Sequence, residues 1–431
     1  MDSKEEIQKM RKTNMRIFPI YKKISWDYLF YYTIDFLFLT QIKNISAANV
    51  VLANSIYYFL NLILQVPVSI FVEFFGRKNS IIIANLLNCF YMVVIMLTRG
   101  FPDLLFAYFI SAIAASIKDI AEPGLLNSSI PPSKYKSNIF SKINAKGASG
   151  YYVLDGISKV VAGFLFGINA YLPIICSLSI LIIASILSMC FIEPIKTKKK
   201  TESQLIEKEQ LKDIKDGFIF ILKSERLKAL ILSAALITSL LEILSDYNVS
   251  LLQDLQLSSF TIGIIAAVGT LISAISAKKE ELFNKKLKNK LLVCIALAIS
   301  ITCIIQGVCA LKAEEYTFFI GIIILGQGIG TCMNGLYYTI IDKYLRNFAN
   351  KDIDTKIFAA NNLFVGIANF ASGVVASFIL DKTTTAKGLI IIGIAFTILY
   401  ILMGIYMKNR VGLKPEEYSK EERKYDEQKI S

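Results

Sequence analysis

The sequence predicts an all-α membrane protein with twelve transmembrane helices in two six-helix bundles and both termini cytoplasmic. Three observations carry this. First, 54% of the 431 residues are hydrophobic. They recur in runs of about 20 with short polar gaps between them, the pattern of a chain that crosses a bilayer many times. Second, the longest polar gap divides the runs six and six. Third, Lys and Arg crowd into alternate gaps, as the positive-inside rule requires of a chain whose two ends lie on one side.

In chain order the runs lie near residues 26–43, 46–72, 79–98, 103–127, 147–168 and 170–192, then 227–252, 258–277, 290–311, 317–341, 357–380 and 387–407. Five regions follow: an N-terminal cytoplasmic tail (1–25), a first bundle (26–192), a cytoplasmic linker (193–226), a second bundle (227–407) and a C-terminal cytoplasmic tail (408–431). The linker contains IEPIKTKKKTESQLIEKEQLKDIKDG, too polar to span, and is expected to hold a surface helix around 205–222. On the other side of the membrane the gaps hold only Lys43, Arg99, Lys312, Lys382 and Lys387. Two basic residues, Lys118 and Lys159, fall deep inside spans and away from their ends. The start, MDSKEEIQKMRKTNMR, is charged and lacks a following cleavable signal, so no segment is expected to be removed.

Composition excludes several chemistries. The net charge of +13 lies in the gaps and tails, so it points to a membrane surface and not to nucleic acid. The chain has no histidine. That rules out a His-dependent triad or a His-ligated metal, and it leaves proton chemistry to carboxylates. The seven cysteines sit in apolar runs without a CxxC pair and read as small buried hydrophobes. No cofactor or metal is expected, and no phosphate-binding loop marks ATP as the direct energy source.

The spans carry eight counted ionisable residues. They are Asp35 in the first, Lys118, Asp119 and Glu122 in the fourth, Asp155 and Lys159 in the fifth, and Glu242 and Asp246 in the seventh. Such residues are costly in a bilayer and normally face a cavity or a bundle interior. Lys118 and Glu122 share a helix face, as do Asp155 and Lys159, and Glu242 and Asp246. Pro123 lacks the N–H that would bond the carbonyl of Asp119. A rise of about 1.5 Å per residue sets Asp35 about 15 Å from the cytoplasmic end of its helix, Lys159 about 18 Å and Glu242 about 21 Å. Six acids against two bases favour a proton on at least one carboxylate. Asp35 and Glu242 rank first as proton carriers, then Asp246, then Asp119 and Glu122. Lys159 is expected to pair with Asp155. Lys118 is left between pairing with Glu122 and binding an anionic substrate group.

The end of the second run reads QVPVSIFVEFFGRKNSI. It resembles the loop 2–3 signature of the major facilitator superfamily, Gly-x-x-x-Asp-Arg-x-Gly-Arg-Lys. Glu73 stands at the acidic position, Gly76, Arg77 and Lys78 match its end, and Pro67 matches a proline common before it. Ser69 and Phe74 depart from it. The ending FIEP of the sixth run, and LKDIKDGFIFILKSERLKALIL before the seventh, look like poorly characterised bacterial members.

The resemblance implies transport of a small molecule by alternating access. It also implies a cytoplasmic gate at Glu73, Gly76, Arg77 and Lys78, and a central path lined by helices 1, 4 and 7 with helix 5 at its flank. Helix 5 lacks the Gly-Pro pair of the proton-drug antiporters, and helix 4 lacks their arginine. The equivalent loop of the second half, SAKKEELFNKKLKNK, has lost the signature and reads as generic basic charge. In GQGIGTCMNG, Gly326 and Gly330 form a GxxxG expected to serve close helix packing.

The expected function is secondary active transport of a small organic solute, coupled to protons. Efflux stands ahead of uptake because an acidic path favours cationic or amphiphilic molecules. The alternatives are uptake of an anionic metabolite anchored on Lys118, and a non-transporting receptor or assembly factor on the same fold. No enzyme chemistry is expected. The partners would be the substrate, a proton and the lipid bilayer, with no nucleic acid, for a monomer in a bacterial cell membrane.

The orientation is checked by labelling in intact cells. Single cysteines at Ser203 and Ser419, in a cysteine-free background, are expected to resist membrane-impermeant thiol reagents, and one at Thr384 to react. Labelling at Ser203 would invert the topology.

Overall fold

The structure is a computed structural model that describes residues 2–133, 135–193, 225–287, 290–313, 315–348 and 354–407. The surface helix expected near 205–222 and the C-terminal tail lie outside the described residues. The long helices, in chain order, are α1 (Asp2–Ser25), α2 (Ala47–Phe75), α3 (Arg77–Leu97), α4 (Phe101–Ser129), α5 (Lys136–Ile168) and α6 (Leu172–Met189). They continue with α7 (Glu225–Asp254), α8 (Ser259–Lys278), α9 (Leu291–Ala310), α10 (Phe318–Phe348), α11 (Asp354–Lys382) and α12 (Thr385–Met407). No strand occurs among the described residues. Among the described residues eleven helices, α2 to α12, are long and apolar enough to cross a membrane. Their starts obey local rules: α4 and α6 carry Pro102 and Pro173 in their first turns, where a missing N–H costs nothing.

The first run differs from expectation. Residues 26–43 do not form one membrane helix. α1 ends at Ser25, and 26–34 follow as bends and turns. A short helix (Asp35–Leu37) then leads into a π-helical turn (Phe38–Ile42). Packing begins earlier than the run, because Met10, Asn14, Phe18 and Tyr21 of α1 are buried. The physical cause is local competition for backbone groups. The Asp27 carboxylate accepts the N–H of Tyr28 at 2.8 Å, and that of Asp35 accepts the N–H of Phe36 at 2.6 Å. Each takes a donor that a continuous helix would need. Phe30 adopts a left-handed φ of 70°, costly for a side chain with a Cβ.

The chain separates into two compact units. One holds the described residues of Met1–Ile45, Ile56–Glu209 and Ser258–Ala267, and the other those of Ser46–Ser55, Gln210–Leu257 and Val268–Ser431. The first turns of α2 thus belong with α7 and α11, and the first turns of α8 belong with α5. Small residues make both attachments. Ser377 on α11 donates to the carbonyl of Ala48 at 2.7 Å. In the first unit α5 and α8 cross at Gly163 and Gly263. A Cβ at Gly263 would come within 3.3 Å of the Gly163 Cα, and the Ser259 hydroxyl donates to the Gly163 carbonyl at 3.0 Å.

The GxxxG of α10 serves packing at one glycine. A Cβ on Gly326 would meet the Gln306 side chain of α9 at 2.9 Å, whereas nothing lies within 4 Å of one on Gly330. The loop SAKKEELFNKKLKNK corrects a second expectation. It is not generic charge, because it forms a helix (Glu280–Leu287) whose buried Glu280 pairs with Lys343 of α10.

The α5–α8 crossing yields a prediction. Gly263→Leu forces two backbones apart and is expected to cost about 1–3 kcal/mol, as overpacking does. Gly156→Ala, whose Cβ would meet nothing within 4 Å, is expected to be neutral or slightly stabilising. Thermal unfolding of the purified protein in one detergent compares the two, and equal midpoints would refute the crossing.

Candidate functional site

The site is built around the interruption after α1. A helix end leaves carbonyls without partners, and the end of α1 is met by Lys118 of α4, whose ammonium donates to the carbonyl of Ser25. Lys118 is 8% exposed and also pairs with Glu122 at 3.6 Å. Glu122, equally buried, accepts a hydrogen bond from the Tyr21 hydroxyl at 3.0 Å. That hydroxyl in turn meets the Asn85 amide, which donates to it at 3.0 Å. A cation thus stands at the negative end of a helix dipole with a carboxylate behind it, a favourable arrangement. Within the interruption, Tyr28 meets Asn88 of α3 and Ser111 of α4, each at 2.8 Å. The unwound stretch is therefore held by side chains of α3 and α4.

The structure brings together most of the first-unit residues expected in the site. Lys159 donates to the buried Asp155 at 2.7 Å, as the spacing predicts. Lys118 serves Glu122 and a helix end, so it is neither free for an anion nor the partner of Asp119. Asp119 is exposed, and no hydrogen bond or ion pair reaches it among the described residues. Asp35 opens the short helix, so its depth does not follow from counting along a straight helix.

The count of eight ionisable residues omits Asp27. It lies within the first run and interacts electrostatically with Lys118, Asp155 and Lys159. Lys22, placed in the expected tail, interacts in the same way with Glu122, Lys118 and Asp119. With these two added, whose charges cancel, five first-unit carboxylates (Asp27, Asp35, Asp119, Glu122, Asp155) stand against three amines (Lys22, Lys118, Lys159). The visible signal for Asp27 was a carboxylate between Trp26 and Tyr28 at the edge of an apolar run.

In the second unit Asp246 of α7 accepts both of its bonds from the Asn54 amide of α2, at 2.9 Å each. Glu242, one turn away on α7, interacts electrostatically with Asp246 and with Tyr338 of α10. These carboxylates belong to the second unit, apart from the first unit's cluster.

The motif after α2 is assembled by a residue whose role the sequence did not reveal. Gly76 turns the chain with a φ of 84°, which only glycine adopts cheaply. The next two N–H groups, of Arg77 and Lys78, donate to the two oxygens of Glu193 at 2.9 and 2.6 Å. A carboxylate thereby caps the N-terminus of α3. The Arg77 guanidinium reaches across to the carbonyl of Gly124 in α4 at 2.7 Å. Asn14 of α1 bonds the adjacent Ile192 through both its backbone groups and also donates to Ser129. Arg77 therefore makes a specific interhelical bond and is not merely a positive charge at the surface. Glu73 is exposed at the end of α2.

Residues 27–373 match the Major Facilitator Superfamily, and the chain belongs to that family, whose members are transporters and not enzymes. Its family and its apolar helices make it a multi-pass membrane protein. One relative, an uncharacterised MFS-type transporter YxaM of Bacillus subtilis (strain 168), is 20% identical over 256 residues. That match spans 58% of this chain and 62% of the relative's length.

Solved structures share the fold. A POT family transporter in complex with 5-aminolevulinic acid superposes with a TM-score of 0.68 at 12% identity, covering 92% of this chain and 95% of that one. The D-xylose-proton symporter gives 0.67 at 11%, covering 91% and 97%. The nucleoside transporter NupG gives 0.65 at 11%, covering 94% and 100%.

The Glu193 cap generates a prediction. Glu193→Ala leaves two N–H groups of α3 without their acceptor and is expected to destabilise the protein by about 1–2 kcal/mol, with Glu193→Gln intermediate. Unfolding midpoints in detergent measure this, and unchanged midpoints would show that the cap is dispensable.

Proposed function

We propose that the protein is a secondary active transporter that moves a small organic solute by alternating access, coupled to protons and working in the direction of efflux. The observation that carries this is the set of carboxylates in and beside the spans of a transporter fold, with Asp119 open and unpaired among the described residues. In a chain without histidine, a coupled proton has to ride on a carboxylate. Asp35, Glu242 and Asp246 remain candidates, and the exposure of Asp119 raises it to their level. Asp155 and Glu122, each held by a lysine, are poorer carriers.

The uptake alternative is weakened by Lys118. Its ammonium is buried against Ser25 and Glu122, so an anionic metabolite would have to displace a satisfied ion. Glu73, Gly76, Arg77 and Lys78 are proposed to act at the cytoplasmic gate, with Arg77 tying α3 to α4. Both termini are placed in the cytoplasm, and a twelfth crossing is assigned to α1 with the interrupted segment after it. The working unit is a monomer.

The test is transport in proteoliposomes, comparing accumulation driven by a pH gradient with downhill exchange. In Asp35→Asn, Glu242→Gln and Asp119→Asn, at least one variant is expected to lose accumulation by tenfold or more, on the order of removing a titrating group, while exchange persists. Wild-type accumulation in all three would reject these carboxylates as the coupling sites. Absence of any flux in the wild type would favour a receptor or assembly role.

A further inference from the structure

Trp26 is the only tryptophan in the chain and the first residue past the end of α1. It is 41% exposed. Its ring lies 5.2 Å from that of Tyr151 and 5.6 Å from that of Tyr152, both on α5, and Tyr152 is 54% exposed. The ammonium of Lys22, one turn back on α1, stands over the Trp26 ring at 4.5 Å from its centroid. The stem of Lys22 rests on Gly147 of α5, where a Cβ would come within 2.9 Å of the Lys22 Cβ. Its ammonium donates to the Asn144 carbonyl oxygen at 2.8 Å.

Asp119 is the charge nearest in kind to a vacancy. It is exposed, unbonded among the described residues, and within electrostatic reach of Lys22. Exposed Pro123 and Asn127 follow it at four-residue intervals toward the end of α4. One face of α4 is therefore open along its last turns. An ionised carboxylate on that face needs water or a cation beside it.

We propose that Trp26 and Asp119 form a subsite for a flat-ringed organic cation, with Lys22 as a tethered competitor that holds the ammonium's place when the site is empty. The proposal rests on the transport reading and names the substrate class for it. An indole face attracts cations more strongly than other rings do, and Lys22 shows that this face accepts an ammonium. The fixed partner of Lys22 is a neutral amide, so displacing it leaves no carboxylate unpaired. By contrast Lys118 and Lys159 are tied to Glu122 and Asp155 at 3.6 and 2.7 Å. An incoming cation would gain Asp119 and the Trp26 face, while its ring would lie beside Tyr152.

The opposite reading makes Lys22 the anchor for a substrate anion. The two differ in the sign of one mutation, and Trp26 itself reports it. The experiment titrates tryptophan fluorescence of the full-length protein in detergent with benzyltrimethylammonium, with phenylacetate as the anionic ring and tetramethylammonium as the ringless cation. Wild type is expected to give a saturable response to benzyltrimethylammonium that is weaker for tetramethylammonium and absent for phenylacetate. Asp119→Asn is expected to weaken binding about tenfold, and Lys22→Ala to tighten it about threefold.

Lys22→Met keeps the stem on Gly147 and is expected to behave as Lys22→Ala does. Only variants that elute as single species with wild-type helicity are compared. Weaker cation binding in both Lys22 variants, a saturable response to phenylacetate alone, or no saturable response to any probe would overturn the proposal. Solute flux in proteoliposomes is read separately. Flux without a Trp26 response removes the subsite and leaves the transporter, whereas a response without flux does the reverse.

Discussion

The ammonium of Lys118 on the carbonyl of Ser25 is the contact on which the arrangement of the first unit depends. Ser25 is buried, so the carbonyls at the end of α1 need partners from the protein, and a buried one left unmet is costly. Lys118 meets this need from the neighbouring helix. Glu122 neutralises the lysine, and Tyr21 satisfies Glu122. The chain is then free to leave the helical path for nine residues. That detour presents Trp26 at the open side and turns Tyr28 inward to α3 and α4. Were α1 continuous through this stretch, residues 26–34 would follow the 3.6-residue repeat and this split would be lost. The interruption is a device for placing side chains, and its cost is met by a buried ion pair.

The two units use their charges differently. In the first, amines stand among the carboxylates, and two ion pairs are i,i+4 neighbours on single helices. Such pairs travel with their helix and are kept whatever the neighbouring helices do. In the second, Asp246 is held by a neutral amide from α2, a contact between helices that a movement of α2 would break. The same holds at the end of α3, where Glu193 and Arg77 join segments distant in sequence. Pairs within a helix set local polarity, and pairs between helices are the ones able to respond to motion.

Much of this fold was legible in the sequence, because a bilayer imposes a length and a composition on every crossing. The spans from α2 to α12 follow from apolar runs alone. The first did not, because hydropathy treats WDYLFYYTIDFLFL as one apolar stretch. Two aspartates that bond their own neighbouring N–H groups act at a scale that hydropathy averages away. The i,i+4 pairs were legible because helix geometry fixes them. The capping of α3 by Glu193, the Asn54–Asp246 bond and the role of Lys118 were not. Each joins residues far apart in the chain, and only the packing of helices brings them together. Charge counting also missed its edges: Lys22 and Asp27 flank the boundary drawn at residue 25, and because their charges cancel they leave the cluster's net charge as it was while adding an amine and a carboxylate to it.

Which of these carboxylates are already paired bears on how a solute and a proton would exclude one another. A cluster with a large surplus of carboxylates would hold several protons and bind a cation loosely at many places. With Glu122 and Asp155 committed to lysines, Asp27, Asp35 and Asp119 are left as the negative centres of that cluster, and Asp119 is the most exposed of the three. An organic cation and a proton would then compete for one carboxylate, each disfavouring the other by electrostatics. Lys22 sharpens the competition. When the solute leaves, the tethered ammonium returns to the Trp26 face, and Asp119 keeps a positive neighbour. Exchange of solute for proton at one site requires no relay of further titrating groups, and a chain without a single histidine has little material from which to build one.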